Sequence, residues 1–431
     1  MTSNLIFTGT KDLEGNAVEV VIENGFISRG ASAGIDHDRV DCSGLRVLPG
    51  FVDLHTHLRE PGFEQSETVA SGSRAAAAGG FTAVHAMANT FPVADTAGVV
   101  EQVARLGQEA SLVFVQPIGA VTVGLRGEQL AELGAMANSK AAVRIFSDDG
   151  YCVHDPALMR RALEYVKAFG GVIAQHAQDP RLTANAQMNE GSLSTKLGLA
   201  GWPAVAEEAI IARDLMLTEL TQSRLHICHV STAGSVELIR QAKLRGIQVT
   251  AEVTPHHLLL TEALAESYDP VFKVNPPLRT QIDVEAVRQG LIDGTIDAIA
   301  TDHAPHPKES KDSDWASAAF GMVGLESAYS VAQQVLVDSG VSTFSRLAQV
   351  LSFGPARIGG LVDQGQYLNL GSKANLAFVD EAMEWNQTAK TQSMSENNPY
   401  QGLKFKGAVV HTVYNGEFSY RNRKIVERAA N

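Results

Sequence analysis

Cysteine and basic charge are both scarce in this chain of 431 residues. The three cysteines, Cys42, Cys152 and Cys228, lie far apart and show no C-x-x-C spacing. This pattern excludes a disulfide framework and a zinc site built from thiolates. The formal net charge of −13 argues against nucleic acid and anionic membranes as partners, because both require a basic protein face.

Long hydrophobic runs are also missing. The longest uncharged run, residues 75–94, is interrupted by a Gly-Gly pair, His85 and Pro92, so it is a poor membrane span. Residues 1–7 lack the basic region and apolar core of a signal peptide. The few cysteines fit a reducing compartment. We therefore expect a cytoplasmic protein without a membrane or nucleic-acid partner.

The composition permits a large buried core, since 45% of the residues are hydrophobic and 19% are charged. From residue 51 onward, strand-like runs alternate with helical patterns, and the first five runs start about 30 residues apart, the length of one βα unit. Eight such runs predict an α/β fold of the (β/α)8 TIM-barrel type over residues 51–360. The predicted strands are 51–57, 82–88, 112–118, 142–147, 171–176, 225–229, 247–254 and 297–301.

Both ends of the chain show short strand-like runs instead. We expect residues 1–50 and 361–431 to form one small β-sandwich-like domain beside the barrel. The polar segment 392–401 is predicted to be a loop packed on the barrel. The loop over residues 304–323, which follows the eighth predicted strand, is predicted to form a mobile rim.

The first predicted barrel strand ends in two histidines, His55 and His57, within the sequence Pro49–Gly62. In a strand, the i, i+2 spacing places both imidazoles on one face, where they can share a cation. Arg59 follows two residues later, where the strand should give way to a loop.

Other predicted strands also end in imidazoles or carboxylates, and in barrels of this type catalytic side chains lie at these strand ends. A single histidine on a strand is usually a hydrogen-bonded core residue, and we interpret His85, His256, His257 and His303 in that way. The convergence of several strand ends, without thiolates, favours zinc or a similar cation. These imidazoles and carboxylates outnumber the four ligands of one tetrahedral ion, so the sequence also allows two ions bridged by a carboxylate. The further strand ends carry Asp148 and Asp149, His176, His229, and Asp302 with His306.

Taken together, these motifs resemble the dihydroorotases of the cyclic amidohydrolase superfamily over nearly the whole chain. Weaker matches lie at 194–199 and 325–326. The resemblance implies reversible cyclisation of N-carbamoyl-L-aspartate to L-dihydroorotate, a step of pyrimidine biosynthesis. The segments that carry it are 50–62, 87–90, 146–150, 228–232, 274–279 and 301–306.

The resemblance also implies a ligand set for one or two zinc ions, with two favoured. His55 and His57 would bind the first ion together with Asp149 and Asp302. Asp149 would bridge to a second ion held by His176 and His229. We assign the bridge to Asp149 instead of Asp148 because its separation of 27 residues from His176 resembles the family's spacing.

For catalysis, the resemblance implies that Asp302 takes the proton from the attacking water and returns it to the leaving ring nitrogen. Three side chains would bind the substrate carboxylate, one would contact the ring, and two residues would offer backbone groups. The carboxylate would be bound by Arg59, Asn89 and His306. The ring would be contacted by Asn275, and the backbone groups would come from Phe320 and Gly321.

Two positions depart from the family pattern. Ala88 stands where the family usually has a proline. Aspartates end the fourth strand where many relatives have a carboxylated lysine, as in one branch of bacterial dihydroorotases, and members of that branch differ in the number of metals.

Two alternative functions are weighed against this prediction. One is another cyclic amidohydrolase, of the allantoinase or dihydropyrimidinase type, but such enzymes usually carry the bridging lysine. The other is an inactive scaffold for aspartate transcarbamoylase, but such proteins have typically lost metal ligands. We further expect a homodimer, and an association with a transcarbamoylase stays open.

Overall fold

The computed structural model describes residues 4–388 and 390–428 of the chain. Its strands are, in chain order, β1 Leu5–Lys11, β2 Ala17–Glu23, β3 Phe26–Ser28, β4 Asp38–Asp41, β5 Arg46–Pro49, β6 Phe51–Thr56, β7 Phe81–Ala86, β8 Phe114–Pro117, β9 Ile145–Phe146, β10 Val172–Gln175, β11 Met188–Asn189, β12 Gly201–Trp202, β13 Leu225–Ile227, β14 Val249–Val253, β15 Ala298–Ile299, β16 Leu376–Asn386, β17 Lys404–Tyr414, β18 Glu417–Arg421 and β19 Lys424–Ile425.

The α-helices are α1 Val69–Ala78, α2 Ala97–Ala110, α3 Leu133–Asn138, α4 Pro156–Val166, α5 Ser192–Leu197, α6 Val205–Thr221, α7 Ala233–Leu244, α8 Pro255–Leu259, α9 Gln281–Asp293, α10 Lys308–Lys311, α11 Ala328–Ala332, α12 Phe344–Ala348 and α13 Gly354–Gly359. Turns of 3-10 helix cover Val123–Leu125, Lys167–Phe169, Glu262–Ser267 and Pro270–Phe272. Two π-helical segments, Gln333–Asp338 and Gln349–Phe353, directly follow α11 and α12.

Eight parallel strands form the barrel, which confirms the predicted fold class. One arc contains β6, β7 and β8, and the other contains β9, β10, β13, β14 and β15. The arcs are joined by parallel bridges between Gly119 and Phe146 and between Thr56 and His303. All eight predicted barrel strands correspond to observed ones, with ends shifted by a few residues.

Apolar side chains from the strands fill the barrel below its C-terminal end. Leu54, Ile118, Ala174, Cys228 and Ala298 form part of this inner cluster, and each is at most 3% exposed. A larger apolar layer lies between the strands and the surrounding helices. The interior is therefore mainly a packed apolar core, with most of the candidate site residues at the strand ends.

Several helices begin where the sequence supplies a capping side chain. In α4, the side chain of Asp155 accepts a hydrogen bond from the Leu158 backbone N–H, and Pro156 occupies the first helical position. In α13, Pro355 lies in the first turn of the helix, directly after a π-helical segment, although a Gly-Pro pair is typical of a turn. None of the helices in residues 4–388 and 390–428 combines the length and apolar character that a membrane crossing requires.

Strands from both chain ends form one mostly antiparallel sheet beside the barrel, which confirms a small β domain built from both ends; its sandwich-like form stays a prediction. Its order is β19-β18-β17-β16-β5-β1-β2-β3, with β4 paired to β1. Strand β16 pairs with β5, the strand that leads directly into the barrel. The rings of Phe7 and Phe378 stack at 4.4 Å in its core. The domain limits at residues 50 and 360 stay a prediction.

Candidate metal centre and active site

Six imidazole and carboxylate side chains meet at the C-terminal end of the barrel. Two groups of three have their candidate ligand atoms within 4.8 Å of one another, and Asp149 belongs to both groups. All six residues are at most 5% exposed. We call this set the ligand cluster; it consists of His55, His57, Asp149, His176, His229 and Asp302.

Asp149 lies at the centre of the ligand cluster. Its Oδ1 is 3.3 Å from His55 Nε2, 3.2 Å from His176 Nδ1 and 3.3 Å from His229 Nε2. Its Oδ2 is 3.4 Å from His57 Nε2. Burial alone would raise the pKa of Asp149, but the imidazoles of His55, His176 and His229 outweigh it and hold that pKa well below its usual range. Asp149 is therefore a carboxylate that faces four imidazole nitrogens.

Asp302 faces two histidines, His55 on β6 and His57 directly after β6. Its Oδ1 lies 3.0 Å from His57 Nε2 and 3.5 Å from His55 Nε2. The opposite side of the cluster, formed by His176 and His229, is joined to this side through Asp149. The two carboxylates thus hold unequal positions, with Asp149 central and Asp302 at one end.

Three of the four histidines have a hydrogen-bond acceptor at the ring nitrogen that points away from the cluster. His55 Nδ1 donates to Glu252 Oε1 at 2.8 Å, and His57 Nδ1 donates to Asn89 Oδ1 at 3.0 Å. His176 Nε2 donates to Gln178 Oε1 at 2.7 Å. A neutral imidazole carries one proton, so these partners leave the lone pair of the other nitrogen directed at the cluster.

The donor set therefore fits a metal cation. His55 Nε2 is buried and has no hydrogen-bond partner, a costly arrangement for a polar atom that nothing satisfies. His176 Nδ1 and His229 Nε2 approach to 2.9 Å, although a neutral His176 has already placed its proton on the far nitrogen. Nitrogen and oxygen donors without thiolates are typical ligands of zinc.

Glu252, on β14, is the main contributor that the sequence analysis missed. Its second oxygen accepts a hydrogen bond from His226 Nε2 at 2.9 Å. Burial alone would raise the pKa of Glu252, but hydrogen bonds from His226 and His55 outweigh it and lower that pKa. Cys228 lies nearby, but burial raises the pKa of its thiol to about 12, so it stays protonated. The sequence signal that could have identified Glu252 is a charged residue within the otherwise uncharged predicted strand 247–254.

The adjacent aspartates at the end of β9 have different surroundings. Asp148 turns away from the cluster and accepts hydrogen bonds from the backbone N–H groups of Val121 and Thr122 at 2.8 and 2.9 Å. It also accepts a bond from the Thr122 hydroxyl. Asp148 therefore anchors the loop after β8, while Asp149 faces the histidines.

Three site residues have left-handed backbone conformations that glycine normally adopts. The φ angles are 62° for Arg59, 31° for His229 and 46° for Asp302. Such conformations cost on the order of 1–3 kcal/mol each for a residue with a side chain. Tertiary contacts must offset this cost, and residues of this kind concentrate at functional sites.

Four of the six residues predicted to bind substrate meet above the cluster. Arg59 Nε donates to the carbonyl of Pro305 at 3.1 Å, and its Nη2 lies 3.3 Å from His306 Nε2. His306 Nε2 is 2.7 Å from the carbonyl of Phe320, and a Cβ on Gly321 would lie 2.8 Å from the His306 ring. Burial lowers the pKa of Arg59 to about 10, so the guanidinium is still charged at neutral pH.

The other two predicted substrate residues lie behind the histidines, Asn89 in contact with His57 and Asn275 in contact with Gln178. Asn89 accepts the hydrogen bond from His57. Asn275 Nδ2 donates to Gln178 Oε1 at 3.1 Å, and its own Oδ1 is buried without a partner.

The histidines interpreted as non-ligands have separate environments. His303 Nε2 is 3.2 Å from Glu67 Oε2, and His85 Nδ1 is 3.0 Å from the carbonyl of Asp53. Burial lowers the pKa of His85 and of His256 to about 4, so both are neutral at pH 7. His257 bonds to Thr254 at 2.8 Å.

Comparisons with known proteins identify the family and the fold. A family model described as Dihydro-orotase-like matches residues 44–235. Among solved structures, an L-hydantoinase (dihydropyrimidinase) from Arthrobacter aurescens superposes with a TM-score of 0.88 at 24% identity, covering 100% of this chain and 99% of that one. A dihydropyrimidinase from Brevibacillus agri gives a TM-score of 0.86 at 21% identity, covering 99% and 97%. At these identities the structures establish the fold alone.

Relatives found by sequence comparison share much higher identity with this chain than these structures do. A dihydroorotase of Leifsonia xyli is 60% identical over 98% of this chain and 97% of its own length. A dihydroorotase of Streptomyces coelicolor is 58% identical over 98% of this chain and 100% of its own length. The dihydroorotase of Mycobacterium tuberculosis is 50% identical over 96% and 97%. With its barrel, its ligand cluster and these full-length relatives, the chain belongs to the dihydroorotase family, whose members hydrolyse a cyclic amide.

Proposed function

We propose that the ligand cluster binds two zinc ions and catalyses the reversible hydrolysis of L-dihydroorotate to N-carbamoyl-L-aspartate in pyrimidine biosynthesis. The observation that carries this proposal is the position of Asp149, whose carboxylate contacts imidazoles from both halves of the cluster. A carboxylate between two groups of histidines is suited to bridge two cations.

The residues divide between the two ions in a way that the distances support. His55, His57 and Asp302 would hold one ion together with Asp149, and His176 and His229 would hold the other. Zinc, when bound, supplies a Lewis acid that polarises the ring carbonyl and favours ionisation of water near neutral pH. Glu252, Asn89 and Gln178 would orient the imidazoles, since each accepts a hydrogen bond from the ring nitrogen that faces away from the cluster.

Asp302 is the proposed general base and acid. It is buried at the edge of the cluster and lacks the second set of histidine contacts that occupies Asp149. Asp302 would accept a proton from the attacking water and donate it to the ring nitrogen as the amide bond breaks. In the direction of cyclisation, the same carboxyl group would reverse both transfers.

Arg59 is the proposed anchor for the substrate carboxylate. Its guanidinium offers planar donors that can bind a carboxylate through two parallel hydrogen bonds. Asn89 and His306 would assist in binding this carboxylate, Asn275 would contact the ring, and Phe320 with Gly321 would offer backbone groups. The positive charge beside the cluster favours an acidic ring over the neutral rings of hydantoin or dihydrouracil.

The wider context expected for the protein stays at the level of prediction. This applies to the homodimer, to an association with aspartate transcarbamoylase and to location in the cytoplasm. The inactive-scaffold alternative loses support because all six ligand positions are filled and converge.

The test is a comparison of substrates with the purified, zinc-loaded protein. L-dihydroorotate, allantoin and dihydrouracil are supplied in parallel, and ring opening is followed for each. We expect turnover of dihydroorotate alone. Turnover of a neutral ring instead would contradict the role of Arg59, and no turnover with metal bound would favour the scaffold.

A further inference from the structure

The loop that carries His306, Phe320 and Gly321, predicted from the sequence to be a mobile rim, is held by hydrogen bonds from a distant part of the chain. We call residues 304–323, after β15, the rim loop. The connection between β16 and β17 crosses the C-terminal end of the barrel and places Asn397 against the rim loop. Asn397 is 5% exposed and lies 91 residues after His306.

The Asn397 side chain uses both of its polar atoms on the backbone of the rim loop. Its Oδ1 accepts a hydrogen bond from the His306 N–H at 3.1 Å. Its Nδ2 donates to the carbonyl of Ala304 at 2.9 Å and to the carbonyl of Gly321 at 3.1 Å. The carbonyl of Asn397 also accepts from the Val323 N–H at 3.1 Å. One residue therefore joins the start of the rim loop to its end.

The middle of the rim loop is held independently by two buried lysine side chains. Lys273 Nζ donates to the carbonyls of Trp315 and Ala318, each at 2.7 Å. Lys311 Nζ donates to the carbonyl of Ala319 at 2.8 Å and reaches back to Pro270 at 2.8 Å. The Ala304 N–H also donates to the carbonyl of Met322 at 2.8 Å, which joins the two ends through the backbone. Because none of these contacts involves the Asn397 side chain, its loss should loosen the ends of the loop without unfolding it.

The segment that carries Asn397 is itself fastened to the barrel. Met394 N–H donates to Glu67 Oε1 at 3.2 Å, and the Ser395 hydroxyl donates to the carbonyl of Ser66 at 2.7 Å. Asn397 thus acts from a fixed position, and it contacts the backbone of two residues assigned to substrate binding.

We propose that Asn397 is a positioning residue for substrate binding, which holds both ends of the rim loop so that His306 and Gly321 face Arg59. This inference rests on the proposed function, because it takes the substrate roles of His306, Phe320 and Gly321 from there. Its physical basis is preorganisation: a loop already fixed in its binding geometry does not pay the ordering cost when substrate arrives.

The neighbouring residue provides a matched control. Asn398 is also buried, at 2% exposed, and its side chain makes backbone hydrogen bonds of its own. Its Nδ2 donates to the carbonyl of Thr388 at 3.3 Å, and its Oδ1 accepts from the Tyr400 N–H at 3.0 Å. None of these contacts reaches the rim loop, so Asn398→Ala removes a comparable amide from the same segment.

The experiment compares wild type, Asn397→Ala and Asn398→Ala in the zinc-loaded holoenzyme. KM and kcat for L-dihydroorotate, metal content and amide hydrogen exchange over residues 304–323 are measured. For Asn397→Ala we expect KM to rise about tenfold, equivalent to about 1.4 kcal/mol, with kcat and metal content nearly unchanged. Exchange in the rim loop should accelerate in this variant and not in Asn398→Ala.

Equal KM shifts in the two variants would overturn the proposal, as would unchanged exchange in Asn397→Ala. Faster exchange with an unchanged KM would also overturn it, because the order of the rim loop would then have no effect on substrate binding. If Asn397→Ala fails to fold, Asn397→Asp is the substitute: it keeps the shape and the acceptor for His306, but sets an oxygen against two carbonyls, and we expect the same rise in KM.

Failure of the proposed function is distinguishable. If the wild-type holoenzyme does not hydrolyse dihydroorotate, the reaction assignment is wrong. The exchange measurement needs no substrate and still decides whether Asn397 holds the rim loop.

Discussion

The ligand cluster and the rim loop are neighbours that are built in different ways. Each cluster side chain lies on a barrel strand or just after one, so the strand register places it. The groups of the rim loop are instead positioned by Lys273 and Asn397, from two other parts of the chain, and by Lys311 within the loop itself. The chemistry at the strand ends therefore follows from local sequence pattern, whereas the shape of the substrate site depends on long-range contacts.

The largest effect is expected at Asp302, the cluster residue with a proposed role in proton transfer. Asp302→Asn removes the proton acceptor, and we expect kcat to fall by about 10³-fold. The other five cluster residues should keep most of the metal bound, which elemental analysis can check. Turnover near the wild-type rate would show that Asp302 does not carry the proton.

The two adjacent aspartates sharpen the distinction between ligand and structural roles. Asp149→Asn removes the charge shared by the two halves of the cluster, and we expect zinc affinity to fall by more than about 100-fold. Asp148→Asn should keep the metal but lower the free energy of unfolding by about 1–3 kcal/mol, because it weakens buried bonds to Thr122. Competition with a chelator and denaturant unfolding measure the two effects. Loss of metal in Asp148→Asn, with metal retained in Asp149→Asn, would show that the ligand and structural roles are reversed.

Arg59 tests the substrate side of the comparison. Arg59→Lys keeps the charge but loses the planar pair of donors, so we expect KM for dihydroorotate to rise about 10- to 100-fold. Metal content should not change, since Arg59 contacts Pro305 and His306 and no cluster residue. Steady-state kinetics with substrate in both directions provides the check. An unchanged KM would move the carboxylate site elsewhere.

A smaller effect is expected beneath the cluster, at Glu252. In Glu252→Gln one oxygen can still accept from His55, but an amide group then faces His226, so we expect zinc affinity to fall about tenfold. Asp214→Asn is the control, because Asp214 is also a buried carboxylate but bonds to Gln175 and Arg213. Equal zinc affinity in the Glu252 variant and the wild type would rule out its orienting role.

Much of the fold was predictable because barrel strands and helices are regular, repeating patterns. The eight barrel strands and the antiparallel sheet of both chain ends follow from periodicity and turn residues. Short strands such as β5 and the π-helical segments escaped prediction, since their form depends on what they pack against.

The candidate site shows the same division. His55, His57, Asp149, His176, His229 and Asp302 were predicted from strand ends and family resemblance, and the structure brings them together. Glu252 was missed because a buried glutamate in an apolar strand has no spacing relation to His55. The holding of the rim loop by Asn397 could not be predicted, because the partners lie 91 residues apart.

The central claim is that the ligand cluster holds two zinc ions on which hydrolysis of dihydroorotate depends. The most direct measurement is the rate of L-dihydroorotate hydrolysis as zinc is added back to chelator-treated protein, with bound zinc determined in the same samples. The account predicts no activity without metal and a rise in rate that ends at two ions per chain. Full activity in the metal-free protein would contradict the account.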